Sequence, residues 1–444
     1  MTSIIDTIRS QDPTKRQQFI VDVFVDSFGQ MMKSDPHAFR NKFRKMAASA
    51  FAFYRGSAAL FYADIARDED PFANEQTGRV WIQGDLHAEN FGTYMNSRGI
   101  LVFDVNDFDE AYVGPFTWDI KRLAASLSLL GYQKALSDDE IREMIARTAK
   151  SYCDQVARFA AEAQTNDFAL TLENTQGALF ETLQEARLNT RVAMLDYFTR
   201  IENYERRLSV KKGVFELNKR SRKKVMAALE SYFETIPEHK RFGGTSYQVK
   251  DIVLRKGMGI GSAGLPSYSI LLEGHTQALE NDILIYMIQS KPAAPSLVIK
   301  DARIKDYFQH DGHRVVVSQR ALQAHADPWL GYTTLDGKGQ LVAEAHPNTT
   351  DLEWDDINDI DDILRMLGYL GQAVAKIHCV SDEDSDQTLV PFSTDRAIHE
   401  VLKGRNKKKF VNEMVAFGEE YGAIVREDYR LFIDAFRNHQ FPGL

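Results

Sequence analysis

The chain has 444 residues, a 44% hydrophobic share that includes 27 Phe and 17 Tyr, and a formal charge of −9. That is apolar material for two or three domains or one large two-lobed enzyme, and it excludes a disordered chain. The negative balance argues against bulk attraction to nucleic acid or membrane, and two distant cysteines, Cys153 and Cys379, exclude a disulfide framework and a Cys-rich zinc site.

The first residues, Met1 to Asp6, lack the basic and apolar pattern of a signal peptide. No stretch is apolar for long enough to span a bilayer. A cytoplasmic protein is expected.

Residues 14–70 read as mostly helical, with Phe19, Val23, Phe24, Phe28, Met31 and Met32 at amphipathic spacing. The aromatic run that follows, Phe51-Ala52-Phe53-Tyr54, ends in Arg55-Gly56. Arg55 either satisfies a carboxylate at a helix entry or acts directly in a site. Val80–Ile82 and Leu101–Phe103 read as short strands. From Phe116 to about Ile236 the pattern is helical, and Ser137-Asp138-Asp139-Glu140 is a capping box that opens one of those helices. The basic run from Arg206 to Lys224 reads as a solvated helix face, or as a docking surface for an anionic substrate. At about residue 247 strands take over: Val249–Leu254, Ser267–Leu272 and Ile283–Ile288, an antiparallel sheet. Helices return near Val315–His325 and Ile360–His378.

Two polar clusters follow the early strands. Gly84-Asp85-Leu86-His87-Ala88-Glu89-Asn90 places two carboxylates, an imidazole and a carboxamide on one strand-end loop. Asp104-Val105-Asn106-Asp107-Phe108-Asp109-Glu110 gathers four acids, whose mutual repulsion a divalent cation relieves. Carboxylate and amide oxygens suit Mg²⁺, which contacts substrate phosphates. Phosphoryl transfer needs an acid to orient the attacking hydroxyl, plus an Asn and an Asp for the metals. Asp85, Asn90 and Asp107 supply that set, with Asp109 beside them.

Gly-Asp-Leu-His-x-x-Asn followed by Asn-Asp-Phe-Asp resembles the catalytic and metal-binding segments of aminoglycoside phosphotransferases and choline kinases. The wider pattern, including Phe53–Gly56 and Gly259–Gly264, is similar to a bacterial family of the domain-of-unknown-function class. The resemblance implies Asp85 as base, Asn90 and Asp107 as metal ligands with Asp109, Asp119 of Trp118-Asp119-Ile120 as a structural support, and His87 as a scaffold or catalytic residue. The related enzymes usually have His where this chain has Gln83.

Gly257 to Gly264 lies between two predicted strands, and its glycines let backbone amides approach phosphate oxygens; a plain hairpin turn explains it equally. Strand–glycine loop–strand is the kinase arrangement, with Gly259, Gly261, Ser262 and Gly264 as phosphate contacts. The loop follows Asp85 by about 170 residues, the reverse of the kinase order. The expected fold is therefore α+β and protein-kinase-like, circularly permuted, with a large helical lobe and a small antiparallel-sheet lobe. Its parts are residues 1–245 (helical, with the catalytic and metal loops), 246–350 (β-rich, with the glycine loop) and 351–444 (helical). The third strand has no central lysine, so Lys291 or Lys300 is the candidate for steadying phosphates, and the helix from Val315 lacks the usual glutamate partner. The expected activity is transfer from ATP, with Mg²⁺, to a small hydroxylated substrate or a protein. A catalytically inactive binding module, a nucleotidyl transferase and a metal-dependent hydrolase remain alternatives.

Overall fold

The computed structural model describes residues 3–161, 168–256, 265–323, 325–380 and 388–444. The chain opens with helices whose starts are written in the sequence. Asp12 and Asp35 accept from backbone N–H groups one turn in, ahead of Pro13 and Pro36, and Ser49 caps the helix Ala50–Arg55. Their apolar faces, Phe24, Phe28, Phe39 and Phe43, meet Phe432 and Phe441 from the C-terminal end in one aromatic core.

Four short strands follow: β1 (Val80–Ile82), β2 (Phe91–Met95), β3 (Leu101–Val105) and β4 (Tyr112–Gly114). β1 pairs antiparallel with β4, and β2 with β3. These two pairings bring the loop 83–90 alongside the loop 106–111. Behind them runs the helix Phe116–Gln133, buried on nearly every face. The capping box at Ser137 forms as read: the Glu140 carboxylate accepts from the Ser137 N–H at 2.7 Å, and the Ser137 hydroxyl accepts in return at 3.3 Å.

The stretch from Phe116 to Ile236 is not helical throughout. It contains β5 (Thr199–Glu202), β6 (Glu205–Leu208) and β7 (Val214–Glu216). Arg206 and Arg207 therefore lie on a strand rather than a helix face, and Arg206 is buried, donating to Asp196, Thr199 and the Leu279 carbonyl. The second half of the basic run lies in the helix Lys219–Thr235.

Then come β8 (Val249–Arg255), β9 (Ser267–Leu272), β10 (Ile283–Gln289), β11 (Gly331–Leu335), β12 (Lys338–Glu344) and β13 (Thr350–Asp351). Among the described residues, β7 to β12 form an antiparallel sheet in the order β11-β12-β10-β9-β8-β7, and β13 joins β2 and β3. One face packs against Lys219–Thr235 through Val225, Leu229 and Tyr232. The helix Asp311–Gln323 lies against β11 and β12. Helices Ile360–Val380 and Arg405–Arg437 return to the helical layer against Asp138–Ala161. The result is a mixed α+β fold, mostly helical, with antiparallel sheets. No described helix is long and apolar enough to cross a membrane.

Candidate active site

Asp119, at the first turn of Phe116–Gln133, fixes the first loop. Its carboxylate accepts from the backbone N–H groups of Gln83 at 2.7 Å and Gly84 at 3.0 Å, and faces His378 Nε2 at 3.2 Å. Gln83 ties this loop to the second one. Its amide donates to the carbonyls of Asn106 and Asp107, and its Oε1 accepts from the Asp85 N–H. Gly84 sits at φ +83°, and a Cβ there would lie 2.0 Å from the Glu110 carbonyl, so only glycine lets the loops touch.

Asp85 is held by Arg122, a residue with no motif to announce it. The guanidinium is fully buried, lies 4.3 Å from the Tyr54 ring centroid, and donates to Asp85 Oδ1 from Nε at 2.7 Å and from a second nitrogen. Both bonds fall on Oδ1, and among the described residues none falls on Oδ2. Burial pushes the Asp85 carboxyl up, Arg122 opposes and Glu110 adds to the rise, and the balance is about 6. The group is thus ionised at neutral pH yet able to accept a proton. Asn90 donates from its amide to the Asp85 carbonyl at 2.9 Å, leaving its own oxygen available.

Asp107 adopts φ +52°, an uncommon conformation for a residue other than glycine. The surface it exposes is cleft. Although its side chain opens to the cleft, crowding by the surrounding protein and the neighbouring Asp109 and Asp85 carboxylates push its carboxyl up. Asp109 is raised as well, by burial and Glu110. Among the described residues no cationic side chain forms an ion pair with either carboxylate, and the more distant Lys291 and Arg314 offset their charge only in part, an arrangement that favours a bound cation. Among the described residues no three His, Cys, Asp or Glu side chains form a ready-made metal cage. Asp107, Asp109 and the Asn90 amide oxygen nevertheless match what Mg²⁺ takes from a protein when phosphates and waters complete its shell. The donor set therefore fits magnesium. Asp104, from the same acidic run, does not take part: it is buried and paired with Lys376, a structural tie to the helix Ile360–Val380.

The two candidate lysines separate. Lys291, just past β10, pairs with Glu110 at 2.7 Å. Burial disfavours both charges, but each outweighs it for the other, so Glu110 is held below the ordinary carboxylate range and Lys291 above the ordinary lysine range. Arg314 braces this junction, donating to the carbonyls of Asp109, Ala111 and Lys291. Lys300 is exposed, donates to the Leu297 carbonyl at 2.7 Å and lines neither cavity of the site, so it does not reach the carboxylates. Arg55 pairs with Glu89 at the rim. His87 turns inward: it is buried beside Phe51, its Nδ1 accepts from the Glu89 N–H at 3.3 Å, and burial with Arg55 and Arg122 holds it neutral. Gly259, Gly261, Ser262 and Gly264 lie outside the described residues; the strands on either side, β8 and β9, are antiparallel neighbours.

Two chambers meet at these residues. One, of about 860 Å³, is walled by Phe242, Ile283, Tyr286, Trp329, Leu341 and Ala343. The other, of about 780 Å³, contains Asp85, Lys42, Glu110 and Lys291. Arg55, Asn90, Asp107, Asp109 and Ile288 border both.

Residues 34–435 match the family described as "Uncharacterized protein conserved in bacteria (DUF2252)", and the chain belongs to that family. Neither the curated proteins nor the solved structures contain a match.

Proposed function

For this member of the bacterial family we propose a magnesium-dependent phosphotransferase that uses ATP, with a circularly permuted, protein-kinase-like arrangement. The observation that carries the reading is the placement of Asp107, Asp109 and Asn90 at the junction of two chambers, with Asp85 in one of them. The chamber walled by aromatic and aliphatic side chains suits a purine base, and the one holding Asp85 suits an acceptor. Metal-held phosphates would lie between them. Lys291 paired with Glu110 supports the same reading. On this reading it takes the part of the lysine–glutamate pair that kinases use, with the glutamate drawn from the acidic loop instead of a helix. This pair also weighs against an inactive binding module.

In the proposed step, the acceptor hydroxyl oxygen bonds to the γ-phosphorus. The bond from that phosphorus to the β–γ bridging oxygen breaks, ADP leaves, and the hydroxyl proton passes to Asp85 Oδ2. Arg122 keeps Asp85 ionised and oriented. Lys291 would sit against phosphate oxygens, and Arg314 holds its strand end in place. Mg²⁺ bound by Asp107, Asp109 and Asn90 would neutralise charge on the phosphates.

The test is thermal unfolding with ATP, with and without Mg²⁺, for the native protein and Asp107→Ala. At a hundred times its dissociation constant a ligand adds about 2.7 kcal/mol. Stabilisation that needs Mg²⁺ and disappears in Asp107→Ala is the expected result; no stabilisation by any nucleotide removes the reading. Transfer of a nucleotidyl group would use the same sites, and product analysis with α- and γ-labelled ATP separates the two.

A further inference from the structure

The second chamber holds a charge that the proposed chemistry leaves unused. Lys42, on the helix Pro36–Met46, is 4% exposed and lines the chamber together with Asp85. Its ammonium lies 4.4 Å from the Phe28 ring centroid and 5.8 Å from that of Phe39. Among the described residues no carboxylate or carbonyl bonds to it. The nearby carboxylates are committed elsewhere: Glu110 to Lys291 and Asp85 to Arg122. The nitrogen keeps contact with the chamber, where a ligand oxygen can reach it, and ring faces in place of part of its hydration leave an unpaired ammonium at a cost. A lysine needed only for packing would be better replaced by methionine, which fills the same space without the charge.

We propose that Lys42 is an anion-binding residue of the second chamber, and that the acceptor carries an oxyanion, a carboxylate or a phosphate ester, in addition to its hydroxyl. An oxyanion at Lys42 would supply the missing partner and hold the acceptor at one end, with its hydroxyl left to reach Asp85 Oδ2. That the anion belongs to an acceptor rests on the phosphotransferase reading; that the chamber binds an anion does not.

The experiment is calorimetric titration of inorganic phosphate, and in parallel acetate, into the full chain without nucleotide or metal. The native protein is expected to bind at least one of them, and the tighter one identifies the headgroup. Lys42→Met should weaken that binding at least tenfold, equivalent to about 1.4 kcal/mol, while still unfolding cooperatively, and Lys42→Arg should retain it. In the native protein, ¹³C NMR of the Lys42 side chain should show its titration moving to higher pH when the anion is added. Unchanged binding in Lys42→Met overturns the proposal, as does failure of both anions to bind the native chain. If Asp107→Ala and native protein alike ignore Mg-ATP while the anion still depends on Lys42, only the phosphotransferase reading falls.

Discussion

Replacing Lys42 by Met should stabilise the protein, and by an amount that depends on pH in a defined direction. Burial, and then Lys291, pull the Lys42 ammonium down from 10.5 to about 7, against weaker support from Glu110 and Asp85. A displacement of that size corresponds to at most about 5 kcal/mol against the charged form, at 1.36 kcal/mol for each tenfold. Relaxation and partial hydration reduce this, so the expected gain for Lys42→Met is about 1–4 kcal/mol at neutral pH and below. The folded group has the lower value, so the unfolded chain binds more protons between about 7 and 10.5. Native stability should therefore rise with pH across that window. Below about 7 both states carry the ammonium and the full penalty stands; towards 10.5 it is relieved. The advantage of the Met variant should thus be largest at or below neutral pH and shrink as pH rises. Of the chamber's other groups, Asp85 titrates near 6, Glu110 lower still and Lys291 higher, and Asp107 and Asp109, both raised, are present in both chains, so the window is read from the difference between the two chains. The assay is urea unfolding of both chains at several pH values, read by midpoint. A variant less stable than the native chain at every pH, or a difference that ignores pH, would refute the reasoning and give Lys42 a supporting role in the fold.

Removing Arg122 strands a half-buried carboxylate, so Arg122→Ala should cost about 3–5 kcal/mol in chemical denaturation and raise the pH at which Asp85 ionises. The buried Lys376–Asp104 pair should behave as a unit. Either Lys376→Met or Asp104→Asn alone should cost about 3–5 kcal/mol, the two together less than their sum, without loss of nucleotide-dependent stabilisation.

The parts of the fold that were legible are those with a local signal. Apolar runs marked β1, β3, β8, β9 and β10, and the capping box at Ser137 marked the start of the helix Asp138–Ala161. The β5–β6 hairpin was lost because Arg200, Arg206 and Arg207 suggest a helix face by composition, while the strand is decided by cross-strand pairing and by burial of Arg206. β2 was hidden inside the polar motif that its first residues complete. In the site, Asp85, Asn90, Asp107 and Asp109 were legible because acids and amides crowd together in sequence. Arg122 and Arg314 were not, because a single basic residue in a helix carries no local mark and each acts on a group remote in the chain; Lys42, on another helix, is equally unmarked. A glutamate partner was sought on the following helix, whereas the acid that pairs with Lys291 is Glu110, on a loop that comes earlier in the chain.

Charge matching around the cleft separates scaffold from site. Arg55 with Glu89, Arg122 with Asp85, Lys291 with Glu110 and Lys376 with Asp104 are complete pairs, and each ties one element to another. Among the described residues the groups without an ion pair include carboxylates at the junction, Asp107 and Asp109, and an ammonium in the second chamber, Lys42. These charges do not pair with one another. A fold gains little from keeping both, since crowding like charges at the junction and burying a lone ammonium are each unfavourable, and neutral side chains of the same size would fill the space. They become favourable together only when a ligand brings a cation to one place and an anion to the other. A metal-bound polyphosphate beside an oxyanion-bearing acceptor has that distribution, which is why the acceptor chemistry and the metal chemistry are proposed for one cleft.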